Sequence, residues 1–332
     1  MDYQSPWWLP GGNLQTIWGA LYARRTRNAK QEFRRERWIA PDSDFIDVDF
    51  LNGGSSADSR ADSSGGNATL LVQFHGLEGT SRSHYSEAFA DYAQAHGMAF
   101  AVPHFRGCSG ELNWGPRAYH SGDFEEIDWI LRRLRREHVG PIVAVGISLG
   151  GNALMRWAQE MGDEAARIVS AVASICSPLD LAASGQAIGR GFNRLVYTRM
   201  FINSMRPKAL RKLAQHPGLF DREALLQSGD LYEFDNVFTA PLHGFKNTDD
   251  YWSRASAKPH LNRIRVPALV VNALNDPFMP ASSLPRQADV GPFVTLWQPS
   301  EGGHVGFPSG GFPSHVYTLP DTVGGWLVQH AK

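Results

Sequence analysis

The pentapeptide Gly146-Ile147-Ser148-Leu149-Gly150 restricts this chain more than any other segment. It directly follows an apolar run, Pro141 to Ile147, and directly precedes Asn152 to Met161, whose apolar residues recur at helical spacing. The pentapeptide therefore reads as a sharp turn from a buried strand into a helix. Small flanking residues permit a strained backbone at the serine and hold its hydroxyl clear of the sheet, at the amino end of the helix.

The rest of the chain repeats the strand and helix alternation. Gln31 to Leu51 is patterned for two strands, and Asn52 to Asn67, rich in Ser, Gly and Asp, for a flexible surface loop. Apolar runs at Thr69 to Phe74, Met98 to Phe105, Ile168 to Cys176, Val266 to Leu274 and Phe293 to Trp297 read as strands, and His84 to His96 and Asp123 to Glu137 as helices. Continuous rather than every-other apolar strands, separated by helices, predict an α/β fold with a mostly parallel sheet covered on both faces. The alternation breaks in 177–262, where Gly191 to Met205, Pro207 to His216 and Asp221 to Gln227 read as short helices. This stretch is expected to be a helical cap over the carboxyl ends of the strands, where open α/β sheets bind ligands. The expected division is an arm at 1–30, a core of 31–176 and 263–332, and the cap at 177–262.

Charge excludes some partners. Lys and Arg total 32 against 33 Asp and Glu, a net charge of −1, so no general attraction to nucleic acid is expected. Two cysteines, Cys108 and Cys176, are too few for a disulfide framework or a cysteine zinc site. The opening residues lack the basic and apolar order of a secretory signal, and no apolar run is long enough to span a bilayer. These features predict a soluble cytoplasmic protein without stable membrane insertion.

A serine hydroxyl is a weak nucleophile at neutral pH and needs a base in hydrogen-bond reach, itself oriented by a third group. When the nucleophile sits on such a turn, the acid and the histidine follow it in chain order. Asp276 lies just past the run Val266 to Leu274, with Pro277 turning the chain away, and His304 lies after the last apparent strand in Gly302-Gly303-His304-Val305-Gly306. Asp180 is a rival acid and His315 a rival base, and chain order and context favour Asp276 and His304. Acyl transfer also needs donors for the developing oxyanion. The backbone amides of Leu149 and of Leu77, in the glycine-bordered segment His75-Gly76-Leu77-Glu78-Gly79, are the candidates, with His75 in a structural role. This chemistry calls for no cofactor and no metal.

Several of these segments, together with Leu14-Gln15-Thr16, His104-Phe105-Arg106-Gly107-Cys108-Ser109-Gly110, Tyr119-His120-Ser121-Gly122 and Asp276-Pro277-Phe278-Met279, resemble the YheT-like branch of the α/β-hydrolases nearly end to end. That family comprises esterases and relatives that act on lipids. The resemblance implies an α/β-hydrolase fold and a catalytic set of Ser148, Asp276 and His304. Asn13, Asn275 and Asn236 depart from it, standing where relatives often have His, Asp and Asp. The purpose of Arg106 and His120 stays open between lining the pocket and bridging loops, with bridging favoured because buried charge needs a partner. Cys108 reads as packed rather than reactive. Trp7, Trp8 and Trp18 read as packing an arm on the core rather than meeting a membrane. Phe192, Tyr197, Met200 and Phe201 suit either an apolar tunnel or helix packing.

The expected function is hydrolysis of short- to medium-chain carboxylic esters through an acyl-serine intermediate. Acyl transfer to an alcohol would use the same residues. A binding protein on the same fold would be expected to have lost one of them.

Overall fold

The computed structural model describes residues 1–27, 31–52 and 67–331. Most of the loop expected at Asn52 to Asn67 lies outside the described residues. Among the described residues one sheet of eight strands runs through the molecule in the order β1-β2-β4-β3-β5-β6-β7-β8. Its strands are β1 (Phe33–Ile39), β2 (Phe45–Leu51), β3 (Leu70–Phe74), β4 (Ala99–Pro103), β5 (Ile142–Ile147), β6 (Ala171–Ile175), β7 (Ala268–Val271) and β8 (Val294–Trp297). The six strands from β4 to β8 in this order are parallel, while β1 and β2 extend the edge antiparallel.

The strand composition explains this division. Every residue of β3, β5, β6 and β7 is buried, as expected for strands covered on both faces. Along β5, Ile142 and Ala144 join one core, and Val143, Val145 and Ile147 join the other on the opposite face. At the edge, β1 carries alternate arginines instead. Arg35 faces Asp49 and Arg37 faces Asp47 in register, each through a two-pronged ion pair. Charged pairs directly across two strands suit a sheet edge open to solvent.

Helices α1 (Gly12–Leu21), α2 (His84–Ala95), α3 (Phe124–Glu137) and α4 (Leu149–Met161) precede β6. In α3, Glu125 and Glu126 occupy the first turn and Arg135 and Arg136 the last, which complements the helix dipole. The helix α4 begins at Leu149, three residues before the apolar periodicity starts, because Gly150 and Gly151 pack against the β3 and β5 backbones. A Cβ on Gly150 would lie 2.5 Å from the His75 carbonyl oxygen.

Three elements differ from the sequence expectation. The opening arm contains α1, whose inward residues Gln15 and Thr16 are polar, so no apolar stripe announces it. A helix at Thr318–Gln329 closes the chain, although Gly324 and Gly325 weaken its helical propensity. Gly324 is close-packed: a Cβ there would come within 2.3 Å of the Tyr92 ring. Between β6 and β7, the expected break at Pro207 is absent, and one helix runs Arg199–Gln215 through it. A proline inside a helix costs about 3 kcal/mol. Here the cost is offset by anchoring on both sides, since Ser204 and Lys208 reach Glu78, and Lys212 donates to the carbonyls of Asn113 and Gly115.

No helix among the described residues is long and apolar enough to cross a membrane. Trp8, Trp18 and Phe312 form the aromatic cluster expected of a packed arm, with ring centroids 5.2 to 5.7 Å apart. Trp7 departs from that expectation and is 91% exposed.

Candidate active site

Ser148 stands between β5 and α4 at φ 51°, ψ −118°, a left-handed backbone that a side chain adopts only under constraint. The constraint is visible around it. The Ser148 amide donates to the Ile175 carbonyl, and a Cβ on Gly146 would lie 2.5 Å from Gly150, so the turn can close only with glycine at these positions.

His304 reaches Ser148 from the loop after β8. Its Nε2 is 3.1 Å from Ser148 Oγ, and its Nδ1 is 2.9 Å from Asp276 Oδ2. Asp276 is buried just past β7, and its other oxygen accepts from the Phe278 amide at 2.8 Å. The Phe278 ring lies against the imidazole, with centroids 4.2 Å apart. The fold thus brings Ser148, His304 and Asp276 into one hydrogen-bonded line. It separates the rivals from them. Asp180 caps the helix Leu181–Ile188 by accepting from the Ala183 amide, and His315 stacks on Tyr317.

The loop that carries His304 is held by residues whose role the sequence reading left unassigned. Thr16 accepts the His304 amide at 2.8 Å, and Gln15 Oε1 accepts both the Gly302 amide and the Asn275 side chain. Asn275 Oδ1 in turn accepts the Gly303 amide. An aspartate at 275 could not donate to Gln15, so the departure at Asn275 is matched to its neighbours. Contact between α1 and this loop is tight: a Cβ on Gly306 would sit 2.2 Å from the Gln15 carbonyl oxygen. From the other side His84 Nε2 donates to the Val305 carbonyl. Leu14-Gln15-Thr16 stood among the family-like motifs, so a signal for this contact was present. The other departures are also satisfied, Asn13 by the Tyr197 hydroxyl and Asn236 by the Thr248 amide.

A cavity of about 170 Å³ opens beside Ser148 and has Leu77 and Leu149 in its wall. No acceptor among the described residues takes the amide of either. The wall is mostly apolar, with Phe201, Met205, Phe234 and Phe238 supplied by the helices between β6 and β7. Of the four residues considered for a tunnel, Phe201 alone lines it; Phe192 and Met200 are exposed, and Tyr197 is buried against Phe278. Arg106 does both: it makes ion pairs to Asp42, Asp44 and Glu126 at 2.5 to 2.9 Å and also lines the cavity. His120 belongs to the wall, packed between His243, Phe245 and Tyr251. Burial pushes the Cys108 thiol up to about 12, which keeps it protonated and unreactive.

Cys176, Asp276 and His304 offer a thiol, a carboxylate and an imidazole whose donor atoms lie within 4.8 Å of one another. These donors are committed otherwise. Burial holds the Cys176 thiol well above its ordinary range, its sulfur accepts the Val305 amide, and both His304 nitrogens have partners. Such a set suits proton transfer better than cation binding.

His75 is fully buried, with Nδ1 donating to the Gly76 carbonyl and Nε2 accepting from the Phe105 amide, which fixes a neutral tautomer. Desolvation lowers its pKa to about 3, with the neighbouring His104 adding to the effect. Because the folded pKa is depressed, the unfolded chain binds the extra proton. The stability this provides is complete above pH 6.5 and is lost as pH falls toward 3. In His75→Gln, the unfolding free energy measured by urea titration between pH 6 and pH 4 should fall less steeply than in the native protein, by about 1.4 kcal/mol per pH unit. Equal slopes would mean that His75 is not held neutral.

A mostly parallel buried sheet with helices on both faces, and a serine on a strained turn from its central strand into a helix, are features of the α/β-hydrolase fold. The chain belongs to the α/β-hydrolase family, whose model for the alpha/beta hydrolase fold matches residues 69–310. It is 36% identical over 323 residues to "Putative esterase YheT" of Escherichia coli, covering 96% of this chain and 91% of that protein. It is also 26% identical over 284 residues to "Phospholipase ABHD3" of Mus musculus, covering 85% of this chain and 68% of that protein. A solved esterase of Pyrococcus furiosus shares the fold, with a TM-score of 0.56 at 15% identity over 91% of this chain and 92% of its own.

Proposed function

We propose that the protein is a serine esterase that cleaves carboxylic esters of short to medium acyl chains. The observation that carries this reading is the line from Asp276 through His304 to Ser148, at 2.9 and 3.1 Å, at the wall of an apolar cavity. In the proposed mechanism His304 Nε2 takes the Ser148 proton as Oγ attacks the ester carbonyl. Asp276 stabilises the imidazolium that forms, and the Leu77 and Leu149 amides receive the oxyanion. His304 then protonates the departing alcohol, and a water activated by the same nitrogen cleaves the acyl-serine. Esterase and phospholipase names among the relatives support an ester as the substrate. On this reading 177–262 is a cap over a core of 31–176 and 263–332, with 1–30 as an arm bracing the His304 loop, and the protein acts in the cytoplasm on small acyl esters.

Purified protein should hydrolyse a series of p-nitrophenyl esters, with kcat/KM highest at short to medium acyl chains and falling for chains longer than the cavity accommodates. Inactivity across the series together with efficient cleavage of amides would overturn the ester assignment.

A further inference from the structure

Beside the proposed oxyanion amide, the turn from Gly76 to Gly79 is closed by the Gly79 amide donating to the Gly76 carbonyl at 2.9 Å, with Leu77 and Glu78 as its central residues. Glu78 has φ 58°, the left-handed conformation that the third position of a type II turn requires and that glycine fills without strain. A glutamate there needs a reason, and its contacts supply one. The Tyr119 hydroxyl accepts the Glu78 amide and donates to Glu78 Oε1, both at 3.0 Å. The other carboxylate oxygen accepts from Ser204 Oγ at 2.5 Å and pairs with Lys208 Nζ at 2.8 Å.

Ser204 and Lys208 stand four residues apart on the helix Arg199–Gln215, and four further on the buried Lys212 donates to the carbonyls of Asn113 and Gly115. The three therefore form one polar stripe along a single face of that helix. Met205 and Ala209, the next residues round the helix, line the cavity. One helix thus both walls the acyl cavity and grips the turn that bears Leu77.

We infer that Glu78 is a positioning residue for the oxyanion site: through Ser204 and Lys208, the helix over the cavity sets the turn that aims the Leu77 amide. This rests on reading Ser148 as the nucleophile and Leu77 as an oxyanion donor. It extends that reading by making the helix over the cavity a working part of the reaction. Oxyanion donors act only where they meet the developing charge, so loosening the turn should lower kcat and leave ground-state binding nearly intact.

The decisive variant is Glu78→Gly, which allows the same backbone conformation without strain and removes the carboxylate's tethers to Tyr119, Ser204 and Lys208, leaving only the Tyr119 hydroxyl on the backbone amide. Lys208→Met removes the charged link from the helix side and leaves that of Ser204, and Lys208→Arg retains the charge. Steady-state kinetics on the best p-nitrophenyl ester should show kcat lowered about ten- to hundredfold in Glu78→Gly and less in Lys208→Met, with KM within about twofold, against the larger loss from deleting a donor outright. A trifluoromethyl ketone, which forms a tetrahedral adduct with the serine, should lose affinity by the same factor as kcat, and Lys208→Arg should restore both. A merely structural role would lower thermal stability without this matched loss. Unchanged kcat in Glu78→Gly and Lys208→Met, or a rise in KM alone, overturns the inference. Labelling of Ser148 by a fluorophosphonate separates the two readings. An unlabelled native protein would remove the nucleophile assignment and this inference with it, whereas normal labelling with undiminished variant turnover removes this inference alone.

Discussion

Ser148→Ala is expected to lower kcat for ester hydrolysis by about 10⁵- to 10⁶-fold, the scale of loss when the nucleophile of such a set is deleted. The size follows from the residue's place in the chemistry, because no other hydroxyl or thiol can replace Oγ. Cys176 is buried with its thiol held protonated, and Ser177 is also buried, its hydroxyl bonded to Ser174. Alanine has the same Cβ at the same strained φ of 51°, so the turn and the fold should persist. What is lost is the hydrogen bond to His304. The thermal midpoint should therefore stay within a few degrees, because one partly buried hydrogen bond contributes only about 1 kcal/mol net. Active-site titration with a fluorophosphonate should fall from one equivalent to none. Residual turnover above about one per cent of native, in a preparation free of contaminating esterase, would require another nucleophile and would remove Ser148 from the mechanism.

The parts of this architecture that were legible in the sequence are those written in local pattern. The buried strands β3, β5, β6 and β7 announced themselves as continuous apolar runs, and the glycines around Ser148 announced a turn too tight for side chains. Asp276 and Asp180 both follow a strand and both fall between Ser148 and His304, and the later strand favoured Asp276; in the folded chain Asp276 lies beside His304, while Asp180 caps a helix. What escaped the sequence is written in contacts between distant segments. Gln15 and Thr16 are polar, so α1 gave no amphipathic signal, yet they hold the His304 loop 288 residues away through the Thr16 hydroxyl. Pro207 looked like a break, and the anchors that overcome it, Glu78 and Asn113, lie in other parts of the chain. The cavity wall stayed open between two readings for a related reason. Helical periodicity shows that Phe192, Met200 and Phe201 can share a face with something, and only the packed fold decides that Phe201 meets the cavity while the other two meet solvent.

Asp276→Asn separates the two candidate acids and tests what the carboxylate does. One of its oxygens accepts the Phe278 amide and the other meets His304 Nδ1. An asparagine must keep its carbonyl oxygen toward the Phe278 amide, because its NH₂ would leave that buried donor unpaired. The NH₂ then faces Nδ1 and forces it to be an acceptor. The imidazole proton moves to Nε2, where it points at Ser148 Oγ, 3.1 Å away, and the nitrogen that should take the serine proton no longer can. The wrong tautomer should lower kcat by about 10⁴-fold with little change in KM, while the fold, the cavity and the oxyanion amides remain in place. Asp180→Asn should leave kcat within about twofold of native, because asparagine caps a helix as well as aspartate does. Measured together by stopped-assay hydrolysis of the same ester, a collapse in Asp276→Asn beside an active Asp180→Asn would assign the orienting acid. The reverse pattern would move it to Asp180 and require the His304 loop to rearrange during turnover.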